Sequence, residues 1–284
     1  MDFLFHIIAL IGINIPDILG YNLIFGKGKI FHFGPGAIWL VSAYASVLTL
    51  ISTGSFVLGF LAGLLGALLV SAFFAWLSLR LEPDGLGVMS IAVHLAVLAV
   101  VLNWNSVTRG ALGIPKVPRL PFLHTVADFA ILAVLVAALC FIVVRMIDRS
   151  SFGRQLQALA EHDWHAKSLG IDRTKIHVLT FLIGGVGVAI SNFLFPQYLT
   201  LLHPNDYQFP AFVFTIMIVV AGKPGSVRGA TIATVLLTVL REALRFTPLS
   251  YSVLGPVRLI LFGVILLAAV WFRRDTLFPK QRSV

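Results

Sequence analysis

Nine ionisable residues stand inside otherwise apolar stretches: His6, Asp17, His94, Asp128, His177, Arg241, Glu242, Arg245 and Arg258. In hydrocarbon each costs roughly 2.5–3.5 kcal/mol or more, so each needs a physical reason to be there. Several lie near the ends of their stretches, where a long side chain reaches the interface. Asp128 and His177 are of this kind. Glu242 and Arg245, three apart on one helical face, read as a local salt bridge rather than a relay. His94 is the most central, and a lone histidine there is more readily held by a neighbouring helix than by a ligand. A proton-coupled carrier needs a carboxylate in mid-stretch, and none stands out. Asp17 follows Pro16, where its stretch is expected to bend or stop.

Soluble chemistry is missing. No GxxxxGK[ST] run occurs; Gly26-Lys27-Gly28 lacks the upstream glycine and the Ser/Thr that a phosphate loop needs. There is no HExxH, no paired-cysteine spacing, and no serine and histidine singled out as nucleophile and base. The chain is expected to be no enzyme and to hold no metal and no cofactor of its own. Cys140, the single cysteine, can form no internal disulfide.

The elements that carry these residues follow from composition. Of 284 residues 58% are apolar and 12% charged, about half the charge of an ordinary soluble domain. Mean hydropathy is +0.96. A soluble enzyme, a disordered chain and a disulfide scaffold are excluded, and the lack of period-two alternation argues against an outer-membrane barrel. The expectation is an all-α, polytopic transmembrane helical bundle, one transmembrane domain over 1–284. Its segments are 3–25, 37–52, 56–79, 86–104, 126–147, 176–202, 211–222, 230–246 and 254–272, so eight to nine cross or enter the bilayer. The segment 211–222 spans only roughly 18 Å as a helix and runs into Gly222-Lys223-Pro224-Gly225. It reads either as a half-helix beside a pathway or as a full helix ending in an ordinary turn. Gly59, Gly63, Ala67 and Ser71 make a small-residue stripe where another helix can approach closely. Met1-Asp2-Phe3 lacks the basic region of a cleaved signal peptide.

The net charge of +9 lies mostly between apolar segments, as the positive-inside bias and anionic lipid require, and does not imply nucleic acid. The loop 105–125 holds Pro115, Pro118 and Pro121 and reads as extended and turn-rich. The loop 148–175 is the most polar stretch, and with the tail (Arg273, Arg274, Lys280, Arg282) it is assigned to the cytoplasm. Four segments between them keep that assignment consistent. Lys223 and Arg228 then join them. Counting back over five segments puts the N-terminus outside, together with Arg109, Lys116 and Arg119, against the charge rule.

Within the polar loop, 155–169 is proline-free and predicts one continuous helix capped by Gly170. Phe152, Leu156, Leu159 and Ala160 share one face; Arg154, Gln157 and Glu161 share another. Such a helix either lies on the membrane or docks into a soluble partner.

Here the sequence resembles a family. Ser151-x-Gly153-Arg154, then Ala158-x-x-Glu161-x-Asp163-x-x-Ala166-x-x-Leu169-Gly170-Ile171-Asp172, is similar to the cytoplasmic coupling loop of branched-chain amino-acid ABC transporter permeases. Phe33-Gly34-Pro35-Gly36-Ala37 with Ser42-Ala43-Tyr44 resembles the family's early glycine-rich segment. Arg109-Gly110-Ala111-Leu112-Gly113-Ile114-Pro115 resembles the external loop of the M-type subunit, and Gly222-x-x-Gly225-Ser226-x-x-Gly229-Ala230 the late glycine run. Lys223-Pro224 departs from that run, as do His165, Lys167, Gln157 and Ala160 from the usual coupling helix. The resemblance implies a permease subunit in a bacterial inner membrane, moving a branched-chain amino acid or related small polar solute. Its partners would be a second permease subunit, two cytoplasmic ATPase subunits that use ATP and Mg, and an extracytoplasmic solute-binding protein. Gly153, Arg154, Ala158, Glu161, Asp163, Ala166, Leu169 and Gly170 would couple to the ATPase. Gly34, Gly36, Tyr44, Gly222, Gly225, Ser226 and Gly229 would lie along the solute path. The apolar face of Phe152, Leu156 and Leu159, worth ~5–8 kcal/mol before ordering costs, would fill a groove on the ATPase. A self-sufficient secondary carrier or channel is the alternative.

Overall fold

Long uncharged runs of helix-forming residues, punctuated by Pro and Gly, produce a bundle of α-helices in the computed structural model, which describes residues 2–246 and 251–277. In order these are α1 (Asp2–Tyr21), α2 (Pro35–Thr53), α3 (Phe56–Arg80), α4 (Pro83–Asn103), α5 (Asn105–Thr108), α6 (Val126–Arg149), α7 (Ser151–Glu161), α8 (Asp163–Ser168), α9 (Arg173–Leu199), α10 (Phe209–Ala221), α11 (Val227–Ala243) and α12 (Tyr251–Leu277). Among the described residues six stretches are long and apolar enough to cross a membrane: Asp2–Lys27, α2, α3, α4, α6 and α9. Each of the nine expected segments coincides with a helix, and the chain is a multi-pass, all-α membrane protein. The side chains of Arg258, Arg273 and Arg274, and the residues Lys280 and Arg282, lie outside the described part.

Helices α1, α2 and α9 form the centre, with α3 packed on α2 and α9, and α6 and α11 on α1. Small residues set the close approaches. Gly59 and Gly63 sit against Leu50, Ser46 and Ser42 of α2, and Ser71 lies against Gly185 of α9, so the predicted stripe is a packing seam. Gly20 of α1 meets Gly184 of α9.

Two local expectations are corrected. The first span does not stop at Pro16. The Asp17 N–H donates to Ser191 Oγ (3.1 Å), and neighbouring helices satisfy backbone that a proline frees. The helix instead widens at Asn22–Lys27 into a π-helical turn, followed by buried non-helical chain over 28–34. That chain is held by bonds from Tyr21 Oη to the His32 carbonyl (3.0 Å) and from the Phe33 N–H to Ser90 Oγ (2.8 Å). The second correction is the polar-loop helix, which is broken at His162 (φ −149°, ψ 89°) into α7 and α8. Helix α8 turns back onto the bundle with Ala166 buried there, and Asp163 pairs with Lys167 (2.7 Å) and with Arg173 at the start of α9 (3.6 Å). Local propensity could not register that tertiary tie.

The loop 105–125 is less extended than expected. It contains α5, a 3-10 turn at Gly110–Leu112 and strand β1 (Ile114–Pro115), antiparallel to β2 (Leu201–Leu202). Arg119 donates to the carbonyls of Gln197 (3.1 Å) and Tyr198 (2.8 Å). This places Arg109, Lys116 and Arg119 at the end of the bundle opposite α7 and α8, as the segment count required.

Candidate functional site

Helix α7 starts where Ser150 Oγ accepts the Gly153 N–H (3.4 Å). A Cβ at Gly153 would run into the Asp148 carbonyl, so the corner from α6 into α7 admits no side chain. Leu156, Leu159 and Ala166 are buried together with Leu23 of the π-helical turn and Ile176 of α9, and Phe152 packs beside them. This overturns the expected use of the apolar face. It is spent on the chain's own bundle, because 11 residues of isolated helix are marginal and need such a seat. What faces away is different: Arg154, Gln157, Glu161, His165 and Lys167, with Trp164 81% and Leu169 80% exposed. Glu161 Oε1 accepts from Gln157 Nε2 (2.9 Å), and Arg154 donates to the Arg149 carbonyl (2.9 Å). Ala158 is half-buried. Gly170 (φ +81°) ends α8 as expected: its N–H bonds the Lys167 carbonyl and the Ile171 N–H bonds that of Ala166.

The other glycine runs are brought to two places. Helix α10 is short, 13 residues, and Gly222 and Gly229 bring the start of α11 into backbone contact with its end. Gly225 (φ +80°) donates its N–H to Asn22 Oδ1 (2.9 Å), which locks the 222–226 turn onto the π-helical turn of the first span. Ser226 caps α11 by accepting the Gly229 N–H (3.1 Å). Gly225 and Ser226 line a cavity of about 410 Å³ that also takes in Lys27, Asp148, Gln157 and Glu161. The polar loop and the late glycine run therefore meet at one end of the molecule. Lys27 forms an ion pair with Asp148 across that cavity. Gly34 and Gly36 lie elsewhere, pressed on Phe74 and on the His94 ring, and serve packing. Tyr44 is buried, and its hydroxyl has no hydrogen-bond partner among the described residues.

Sequence reasoning missed a second cavity, of about 120 Å³, between α1, α2, α9, α10 and α11. Its wall includes Asn14, Asp17, Trp39, Asn192, Tyr207 and Arg241. The expectation of no mid-span carboxylate is corrected here. Asp17 is buried, and Trp39 Nε1 donates to its Oδ1 (3.0 Å). The signal was present as Asn14 and Asp17 in an otherwise uncharged stretch, but the adjacent Pro16 suggested a helix end. The remaining polar residues are accounted for structurally. His94 Nε2 bonds the Tyr207 carbonyl (3.0 Å). Glu242 pairs with Arg245 (2.9 Å), and Asp128 closes a capping box with Thr125. His177 Nδ1 lies 3.3 Å from Ser78 Oγ. At the cavity's edge, partial burial raises the pKa of Asp206, while the charges of His203 and Arg241 pull it down.

Against known proteins, residues 4–270 match the family described as branched-chain amino acid transport system, permease component. The chain is 28% identical to the high-affinity branched-chain amino acid transport system permease protein LivM of Salmonella typhimurium, over 93% of this chain and 67% of that protein. It is 26% identical to the Escherichia coli LivM over the same shares. It is 24% identical to the Escherichia coli LivH over 88% of this chain and 87% of that protein. No solved structure matches it.

Proposed function

The chain belongs to the branched-chain amino acid transport permease family, and on that premise we propose that it is one membrane subunit of an ATP-driven importer in a bacterial inner membrane. Two separate ATPase subunits, which use ATP and Mg, dock on the outward face of α7 and α8. A second permease subunit completes the pathway, and an extracytoplasmic binding protein delivers a branched-chain amino acid or a related small solute. The observation that carries this reading is the bipartite polar loop. Its apolar side is seated in the bundle while Trp164 and Leu169 stand almost fully exposed at the same end. Large apolar side chains left open beside charged ones are what a protein partner recognises. The seat passes through Leu23, the π-helical turn and Asn22 to Gly225. A push on α7 is thereby delivered to the break between α10 and α11.

Reconstitution in vesicles tests the reading. Leucine uptake should require added ATPase subunits and ATP, and should be absent with this chain alone under a proton or sodium gradient. Gradient-driven uptake by the chain alone would make it a secondary carrier.

A further inference from the structure

We propose that Asp17 is the centre of an ammonium-binding subsite in the 120 Å³ cavity, taking the α-ammonium of an amino acid with an apolar side chain in transit. The proposal rests on the transport reading above and names the chemistry of its path.

The same bundle treats two buried carboxylates differently. Glu242 is 6% exposed and is surrounded by Arg245, Arg241 and His6. Asp17 is 8% exposed, lies within the Asp2–Lys27 span, and has Trp39, at 3.0 Å, as its one side-chain donor among the described residues. No cationic side chain among the described residues forms an ion pair with it. A neutral indole N–H cannot offset the desolvation of a carboxylate, which burial makes costly unless a positive charge joins it.

Besides the donors Trp39 and Arg241, the surrounding wall carries amide and carboxylate groups. The Asn14 side-chain amide N–H₂ donates to the Leu10 carbonyl (2.8 Å) and that of Asn192 to the Val188 carbonyl (3.0 Å). The carboxylates of Asp17 and Asp206 and the side-chain amides of Asn14 and Asn192 line one cavity, and such acceptors match a group with three donors and no acceptor, which is an ammonium. The buried Tyr207 hydroxyl on the same wall has no hydrogen-bond partner among the described residues. Phe214 supplies an apolar side with the Arg241 guanidinium 4.7 Å from its ring centroid. The cavity thus presents negative, apolar and positive character together. At about 120 Å³ it has room for a few waters, enough for an ammonium group and the atoms next to it.

The test uses the complete transporter, with its ATPases, second permease and binding protein, in vesicles. Leucine uptake by Asp17→Asn should fall by about tenfold or more, the scale of one lost charge-assisted hydrogen bond. Asp17→Glu should recover part of it, with ATPase association retained in both variants as the check on folding. In parallel, dicyclohexylcarbodiimide labelling of Asp17 in the wild-type assembly, read by mass spectrometry, should be slowed by leucine. The deaminated 4-methyl-2-oxopentanoate, which keeps the carboxylate and the side chain, should not slow it. Wild-type uptake by Asp17→Asn overturns the subsite, as does equal protection by the keto acid or the absence of protection by leucine. Protection by sodium alone would assign the site to an inorganic cation and overturn it equally. A wild-type assembly without ATP-dependent leucine uptake refutes the transport reading instead, and the labelling result then still decides the subsite.

Discussion

Leu156→Ala separates two uses of the α7 helix. In the structure Leu156 is fully buried among Leu23, Leu159, Ala166 and Ile176. Truncating a buried leucine to alanine costs about 2–5 kcal/mol, depending on how far the site collapses. The helix has 11 residues and little stability of its own, so that loss falls almost entirely on its docking. At about 1.4 kcal/mol per factor of ten, amide exchange across 151–161 should accelerate by roughly thirty- to several-thousandfold, up to the protection present in the wild type. Hydrogen–deuterium exchange on the detergent-solubilised chain, with no partner present, is the direct assay. Exchange in α3 and α9 should change little. Trp164→Ala, on the exposed face, should leave exchange at wild-type level and instead weaken ATPase association. The reasoning is refuted if Leu156→Ala leaves α7 as protected as before while Trp164→Ala unravels it. The apolar face would then be pointing at a partner and not at the bundle.

Two further outcomes follow from close contacts. A methyl group at Gly222 would stand 2.6 Å from the Gly229 carbonyl, and one at Gly229 would meet the Gly222 carbonyl. Gly222→Ala and Gly229→Ala should each lose about 1–3 kcal/mol, seen as a lower thermal midpoint, whereas Gly263→Ala in open space should be neutral or slightly stabilising. In the Lys27–Asp148 pair the lysine side chain is 11% exposed and the carboxylate 25%. Asp148→Ala should therefore lower the midpoint more than Lys27→Met, because the first strands the drier charge; small and equal losses would show that the pair is solvent-screened.

The sequence determined the class of this molecule. Apolar windows of spanning length are buried in a bilayer most simply as helices whose backbone bonds are internal, and six such stretches among the described residues are helical. The small-residue stripe from Gly59 to Ser71, the short segment before Gly222 and the Gly170 cap were legible for the same reason. Spacing along one helix, or a required left-handed φ, is a local property. The order of the polar motifs likewise carried the family resemblance, which the match over 4–270 establishes.

Which face meets what was decided only by the tertiary structure. The amphipathic pattern of Phe152, Leu156 and Leu159 states that one side of α7 is buried but not by whom. The answer lies in Leu23 and Ile176, more than a hundred residues upstream and in the next long helix. Asp17 gave the same difficulty in electrostatic form. Pro16 hinted at a helix end, and only the packing of α9 against α1, with Ser191 taking the Asp17 N–H, keeps the helix running and the carboxylate inside. Beyond the His162 break, α8 is seated on the bundle through Ala166, and Asp163 lies 3.6 Å from Arg173 of α9. In each case the deciding partner comes from another helix. Periodicity reports the orientation of a side chain about its own axis, while burial, pairing and cavity formation depend on how several axes are placed together.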